Sequence, residues 1–153
     1  MPEQKKASTL LVLCLIAGTL DAIAAILMSW KYPTSSVFQY IASGWFGPAA
    51  FKGGTVMVIW GLVFHYLIAS FYSILFFLLY PGFKRVVKSR FAIAIIIGLL
   101  IWSLMNFLVL PLTNIPKGNG HISVISILIS ASVLCVTVGA PMVIMADRYY
   151  RNG

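Results

Sequence analysis

Four long apolar runs, separated by short connections that hold nearly all the charge, restrict this chain to one kind of solvent. The runs fall at about residues 7–30, 55–80, 91–110 and 122–146. A helix crossing a hydrocarbon core of about 30 Å needs about 20 predominantly apolar residues, and each run meets that length. Hydrophobic residues make up 61% of the chain and charged residues 9%, whereas a soluble domain carries about a quarter charged residues. Such a balance excludes a water-soluble core and suits helices surrounded by lipid. We therefore expect an all-α fold, a polytopic four-transmembrane-helix bundle, with residues 1–153 forming a single integral membrane domain.

The net charge of +8 raises the question of nucleic acid, but its distribution answers it. Lys84, Arg85, Lys88 and Arg90 share one connection, Lys5 and Lys6 precede the first run, and Arg148 and Arg151 follow the last. Basic residues at span ends orient helices and meet anionic headgroups. The expected partner is the lipid bilayer, not nucleic acid. One side of the membrane receives eight Lys and Arg residues and the other three, namely Lys31, Lys52 and Lys117. The positive-inside rule then places both termini in the cytoplasm.

The connections carry their own signals. Ala22-Ile23-Ala24 resembles a signal-peptidase site, yet the apolar run continues past it to Trp30, so we read a retained span. Between Lys31 and Lys52 the chain is too aromatic for a plain linker. Ser36 and Gln39 form a capping-box pattern, Val37, Phe38, Ile41 and Trp45 follow near helical spacing, and Gly44 offers a stop. We expect a short helix here, lying in the membrane interface of the first extracytoplasmic loop. Trp30, Tyr40 and Trp45 are its candidate interfacial anchors. Pro81-Gly82 is expected to end the second span and Pro111 the third, while Pro141 is expected to bend the fourth.

Polar residues at membrane depth are few. Asp21 is the one acid well inside a run, and an ionisable group there costs a few kcal/mol unless it faces other helices or water. Cys14, Gly18, Asp21, Ala25 and Met28 share a helical stripe, and Gly61, His65 and Ala69 form a second. By helical rise the depths of Asp21 and His65 differ by about 3–5 Å, which permits contact. The two form a candidate polar intramembrane centre. Asn106, Ser123, Ser126, Ser130 and Thr137 are candidate pocket-lining residues at the outer side. The competing reading is that the Ser and Thr residues satisfy nearby carbonyls and that Asn106 bonds between helices. His121 lies at the outer edge, about 16 Å from the depth of His65, so the pair cannot share a metal within one chain. No metal, haem or other cofactor is expected. HExxH, Walker-type and GxSxG spacings are absent from the sequence.

Ala17-Gly18-Thr19-Leu20-Asp21, Tyr40-Ile41-Ala42-Ser43-Gly44, the segment from Gly61 through His65 and Ala69 to Tyr80, and Leu110-Pro111-Leu112 resemble small bacterial inner-membrane proteins of unassigned function. The similarity to YagU-like proteins is more distant. The resemblance implies a multi-pass protein of the bacterial inner membrane and a compact four-helix bundle, and it transfers no active residue.

These observations lead to an expectation of a non-enzymatic membrane protein. It binds or moves a small solute, ion or lipid through Asp21 and His65, as a homo-oligomer or with a membrane partner protein. The alternative is a structural or accessory protein in which the same residues only hold helices together. A lipid-modifying enzyme is a third class, for which no nucleophile–base pair can be identified.

Overall fold

Pro33 is the first interruption that the sequence imposes, because the residue before a proline is disfavoured in helical conformation. In the computed structural model, which describes residues 2–116 and 123–151, helix α1 (Pro2–Met28) stops shortly before it. Helix α2 (Thr34–Phe46) follows, then a 3₁₀ segment (Gly47–Lys52) and α3 (Gly54–Val86). Two further long helices, α4 (Arg90–Leu112) and α5 (Val124–Arg151), complete the described residues, among which no strand occurs.

Helices α1, α3, α4 and α5 are each long and apolar enough to cross a membrane. Only about a third or less of each apolar window is buried inside the bundle (28–33%). Leu11, Leu67, Phe71, Phe107, Ile125 and Val136 are among the large side chains left outside. A surface so apolar is stable against acyl chains and not against water. The chain is a multi-pass membrane protein in this coarse sense.

Several helix ends differ from the sequence expectation. Helix α2 starts at Thr34 with Pro33 as its N-cap and no side-chain cap, so Ser36 and Gln39 are not its capping box. Its stop is Gly47, at φ 62°, and not Gly44; only glycine enters that left-handed region without cost. Gly44 instead gives room to Thr113, beyond the end of α4. The backbone N–H of Asn114 donates to Gly44 O at 3.0 Å and its side-chain amide donates to Trp45 O at 3.2 Å. The loop after α4 thus satisfies carbonyls that the end of α2 leaves open.

Pro81-Gly82 does not end the second span: α3 runs through both to Val86. Pro81 has no N–H for the carbonyl of Phe77, four residues back, and the Tyr150 hydroxyl of α5 donates to that carbonyl at 3.1 Å. A donor from a neighbouring helix is one way proline is accommodated inside membrane helices. Helix α4 likewise continues past Pro111 to Leu112. Upstream of Pro111 and of Pro141 lies a π-helical turn, Met105–Val109 in α4 and Cys135–Gly139 in α5. A wider turn is an established way for a helix to absorb an irregular stretch of backbone bonding.

Small residues set how closely the helices approach. On α4, Ala94 and Gly98 meet Cys135 and Gly139 of α5, and a Cβ added at Gly98 would fall 2.5 Å from the Cys135 backbone. This is small-residue packing at four-residue spacing, as in membrane helix pairs generally. The Gly61 stripe divides its work. Gly61 faces the backbone of Phe38 in α2, whereas Ala69 faces Gly18 of α1. Phe46, eight residues beyond Phe38, stacks near Trp60 and Phe64. About 12 Å of α2 therefore maps onto little more than one turn of α3, so α2 crosses α3 obliquely.

The bundle is unevenly filled. Its buried core joins Leu13 and Ala17 of α1 to Phe76, Phe77 and Tyr80 of α3, to Ile93 and Ile97 of α4, and to Met142, Val143 and Ala146 of α5. In antiparallel helices those positions all lie toward the end that holds both termini. The opposite end, beneath α2, is hollow.

Candidate functional site

The hollow measures about 730 Å³ and is bounded by all five helices. From α1 come Asp21, Ala25 and Met28, and from the following segment Ser29 and Tyr32. Helix α2 contributes Ser36, Val37, Tyr40 and Ile41, with Phe51 from the 3₁₀ turn. Helix α3 supplies His65, Ile68, Ala69 and Tyr72. Ile101 and Met105 of α4 and Leu134, Val138 and Met142 of α5 close the far wall. Along α1 the lining spans about 10 Å, from Asp21 to Met28.

The walls are chiefly aliphatic, methionine and aromatic. Among the described residues none that lines the cavity is Lys or Arg, and the ionisable ones other than tyrosine are Asp21 and His65. The volume lies in the range of small-molecule sites, which combine apolar walls with a few convergent polar groups.

His65 is fixed from outside the cavity. Its Nε2 lies 2.8 Å from Gly18 O in a buried contact, and since a carbonyl only accepts, Nε2–H is the donor. In the neutral ring Nδ1 is then the acceptor. Gly18 makes this contact accessible because Tyr66 packs directly over it; an added Cβ would sit 2.9 Å from that ring. Thr19 Oγ1 and Tyr66 Oη, 2.8 Å apart, tie the same two helices together. Gly18 and Asp21 are three residues apart on one helical face, so the His65 ring is held within about one turn of Asp21.

Asp21 has no such ties. Among the described residues its carboxylate takes part in no hydrogen bond and in no ion pair within 4.0 Å, and the ion pairs present belong to Asp147. The geometry therefore brings Asp21 and His65 to one cavity without joining them to each other.

The other sequence candidates are distributed differently. Asn106 donates to Trp102 O of its own helix at 2.8 Å, and Thr137 donates to Val133 O at 2.9 Å. Ser130 donates to Ile127 O and accepts from Trp102 Nε1. Ser123 caps α5 by accepting from the Ile125 N–H, and Ser126 is exposed on the outer face of α5. None of these five lines the cavity. The polar atoms of Asn106, Ser123, Ser130 and Thr137 answer to helix carbonyls and a helix end instead. Trp30 and Trp45 are about three-quarters exposed, with Lys31 Nζ 5.6 Å from the Trp30 ring centroid, whereas Tyr40 faces the cavity. His121 and Lys117 lie outside the described residues.

A second polar cluster was not anticipated. Asp147 of α5 is buried at the terminal end of the bundle, where Tyr80 Oη donates to its Oδ1 at 2.7 Å. Arg90 Nη1 stands 3.2 Å from Oδ2 and Lys84 Nζ 4.0 Å from Oδ1. No N–H is aligned on Oδ2, so Arg90 acts there through charge and not through a hydrogen bond. The sequence hides this group because its partners come from α3 and the start of α4, and because Arg148 beside it makes the segment look like a solvated end. Its only sequence signal is an acid facing the most basic connection.

Neither a protein-family model, nor a curated protein, nor a solved structure matches this chain.

Proposed function

We propose that this membrane protein binds a small, largely apolar molecule in the cavity between its helices, with Asp21 and His65 at the polar end of the site. The single observation that carries the reading is the cavity itself: about 730 Å³, apolar-walled, and touched by both ionisable residues. An amphipathic molecule or a lipid fits such walls better than a hydrated ion, which needs a lining of oxygen donors. The packed core between the cavity and the terminal end favours binding over free conduction. Movement across the membrane would require that core to open, or a homo-oligomer or partner protein to supply a second route.

The charge asymmetry and the family resemblance support a bacterial inner membrane with cytoplasmic termini, which would put α2 and the cavity on the outer side. The oblique crossing of α2 and its exposed Trp45 support an interfacial position for that helix.

A neutral diazirine-bearing long-chain alcohol, photolysed with the protein in lipid nanodiscs, tests the binding reading by peptide mass spectrometry. Label should concentrate on Met28, Tyr32, Ile68 and Met142, and Ala69→Trp should suppress it. Label spread evenly over lipid-facing Leu67, Phe107 and Val136 would overturn the proposal.

A structural reading has one observation in its favour, the His65–Gly18 bond that pins α1 to α3. On that reading His65→Ala lowers thermal stability while cavity labelling is unchanged.

A further inference from the structure

We infer that the cavity selects amphipathic organic cations, with the cationic head at Asp21 and the apolar body against α3, α4 and α5. This rests on the cavity being the working site, as proposed above, and adds the charge and class of what it holds.

The first argument is charge complementarity. Ten of the chain's 11 Lys and Arg residues are among the described residues, and none of these ten lines the cavity, whereas an acid does. Asp147, the other acid inside the bundle, is compensated by Arg90, Lys84 and Tyr80. Asp21 makes no ion pair within 4.0 Å among the described residues. A carboxylate at membrane depth without an ion-pair partner is costly, and a ligand that brings positive charge relieves that cost. The protein elsewhere solves the same problem with its own side chains.

The second argument excludes an inorganic cation. Calcium takes six to eight oxygen ligands and magnesium a near-octahedral set. Besides the Asp21 carboxylate, the described lining offers side-chain oxygens only from Ser29, Ser36 and three tyrosines, spread among aliphatic walls, too few in one place to replace a hydration shell. An organic cation with a diffuse charge needs no such shell. Its apolar surface matches Ile68, Ile101, Leu134 and Val138. Tyr32, Tyr40, Tyr72 and Phe51 place aromatic rings around the space, and aromatic faces attract such cations.

The experiment uses the full chain in nanodiscs, with radiolabelled tetraphenylphosphonium as the cation and triphenylphosphine oxide as a neutral analogue, each corrected for empty discs. Tetraphenylphosphonium should bind saturably and more tightly than the analogue. Asp21→Asn should weaken it by at least about tenfold, the scale on which removal of a desolvated charge partner acts. Asp21→Glu should largely restore it, and the ratio of the affinities for the cation and the neutral analogue should fall in Asp21→Asn and recover in Asp21→Glu. Equal affinity for the two probes in the unaltered protein overturns cation selection while leaving amphipath binding intact, and so does Asp21→Asn without effect. Saturable binding of neither probe overturns both readings. Should Asp21→Asn fail to fold, the comparison of the two probes in the unaltered protein decides alone.

Discussion

Tyr150→Phe removes one oxygen atom and should cost this protein about 1–2 kcal/mol, for a reason that lies in a different helix. The hydroxyl donates to the Phe77 carbonyl at 3.1 Å, a carbonyl that Pro81 deprives of its helical N–H. Interhelical hydrogen bonds in membrane proteins average only about 0.6 kcal/mol, with a maximum near 1.7. Leaving a buried acceptor with no partner adds about 1–3 kcal/mol before relaxation. Packing should be little changed, because the Tyr150 ring lies 5.2 Å from Phe77 and 6.0 Å from Tyr80, and phenylalanine keeps that ring. The decisive background is Pro81→Ala, which returns an N–H to bond Phe77 O within α3. There Tyr150→Phe should cost less than about 0.5 kcal/mol, giving a coupling near 1 kcal/mol, above the usual error of additivity of about 0.3–0.5. The measurement is reversible unfolding in dodecylmaltoside micelles titrated with SDS, followed by circular dichroism. An equal cost of Tyr150→Phe in both backgrounds would falsify the link between the proline and the tyrosine.

Further outcomes follow from the same contacts. In SDS titrations Gly82→Ala should stabilise by about 0.5–1 kcal/mol, since the site is helical with nothing within 4 Å of a new Cβ. Gly61→Ala should destabilise by about 1–3 kcal/mol, because its Cβ would run into the Phe38 backbone; a neutral result would mean that α2 is not seated on α3. At Asp147, alanine should cost about 2–4 kcal/mol and asparagine about 1, as the amide still accepts from Tyr80 while the half-exposed Arg90 contributes little. If asparagine proves as damaging as alanine in thermal melts, charge and not the Tyr80 bond dominates. Asn106→Leu and Thr137→Val should leave photolabelling of the cavity unchanged and shift stability by less than about 1 kcal/mol; loss of label in either variant would place them at the site after all.

Legibility differed by feature, for physical reasons. Asp21 and His65 stand out by chemistry alone, because an ionisable group in an apolar run is conspicuous without knowledge of its neighbours. The helix continuing through Pro81 was not readable, since the donor that permits it, Tyr150, lies far away in sequence. Ser36 and Gln39 have the local pattern of a cap, but Pro33 already sets the start of α2. Gly44 has the composition of a stop and instead gives room to Thr113. The Ser and Thr residues of α5 share a face, yet a face does not say what it meets. The hydroxyls of Ser130 and Thr137 bond to carbonyls one turn back, and Ser130 also accepts from Trp102.

The sequence by itself determined the medium and the number of crossings, because the transfer of apolar surface out of water sums over residues regardless of their arrangement. It also marked the two groups that cannot face lipid cheaply. Only the tertiary structure decided that these groups share an apolar cavity, that Asp147 is held by Tyr80 and Arg90, and that one half of the bundle is packed while the other is hollow. Each of those facts depends on which side chains from different helices arrive at the same place. Glycine contacts such as Gly18 with Tyr66 and Gly98 with Cys135 set those meetings, and they have no signature in a single strand of text.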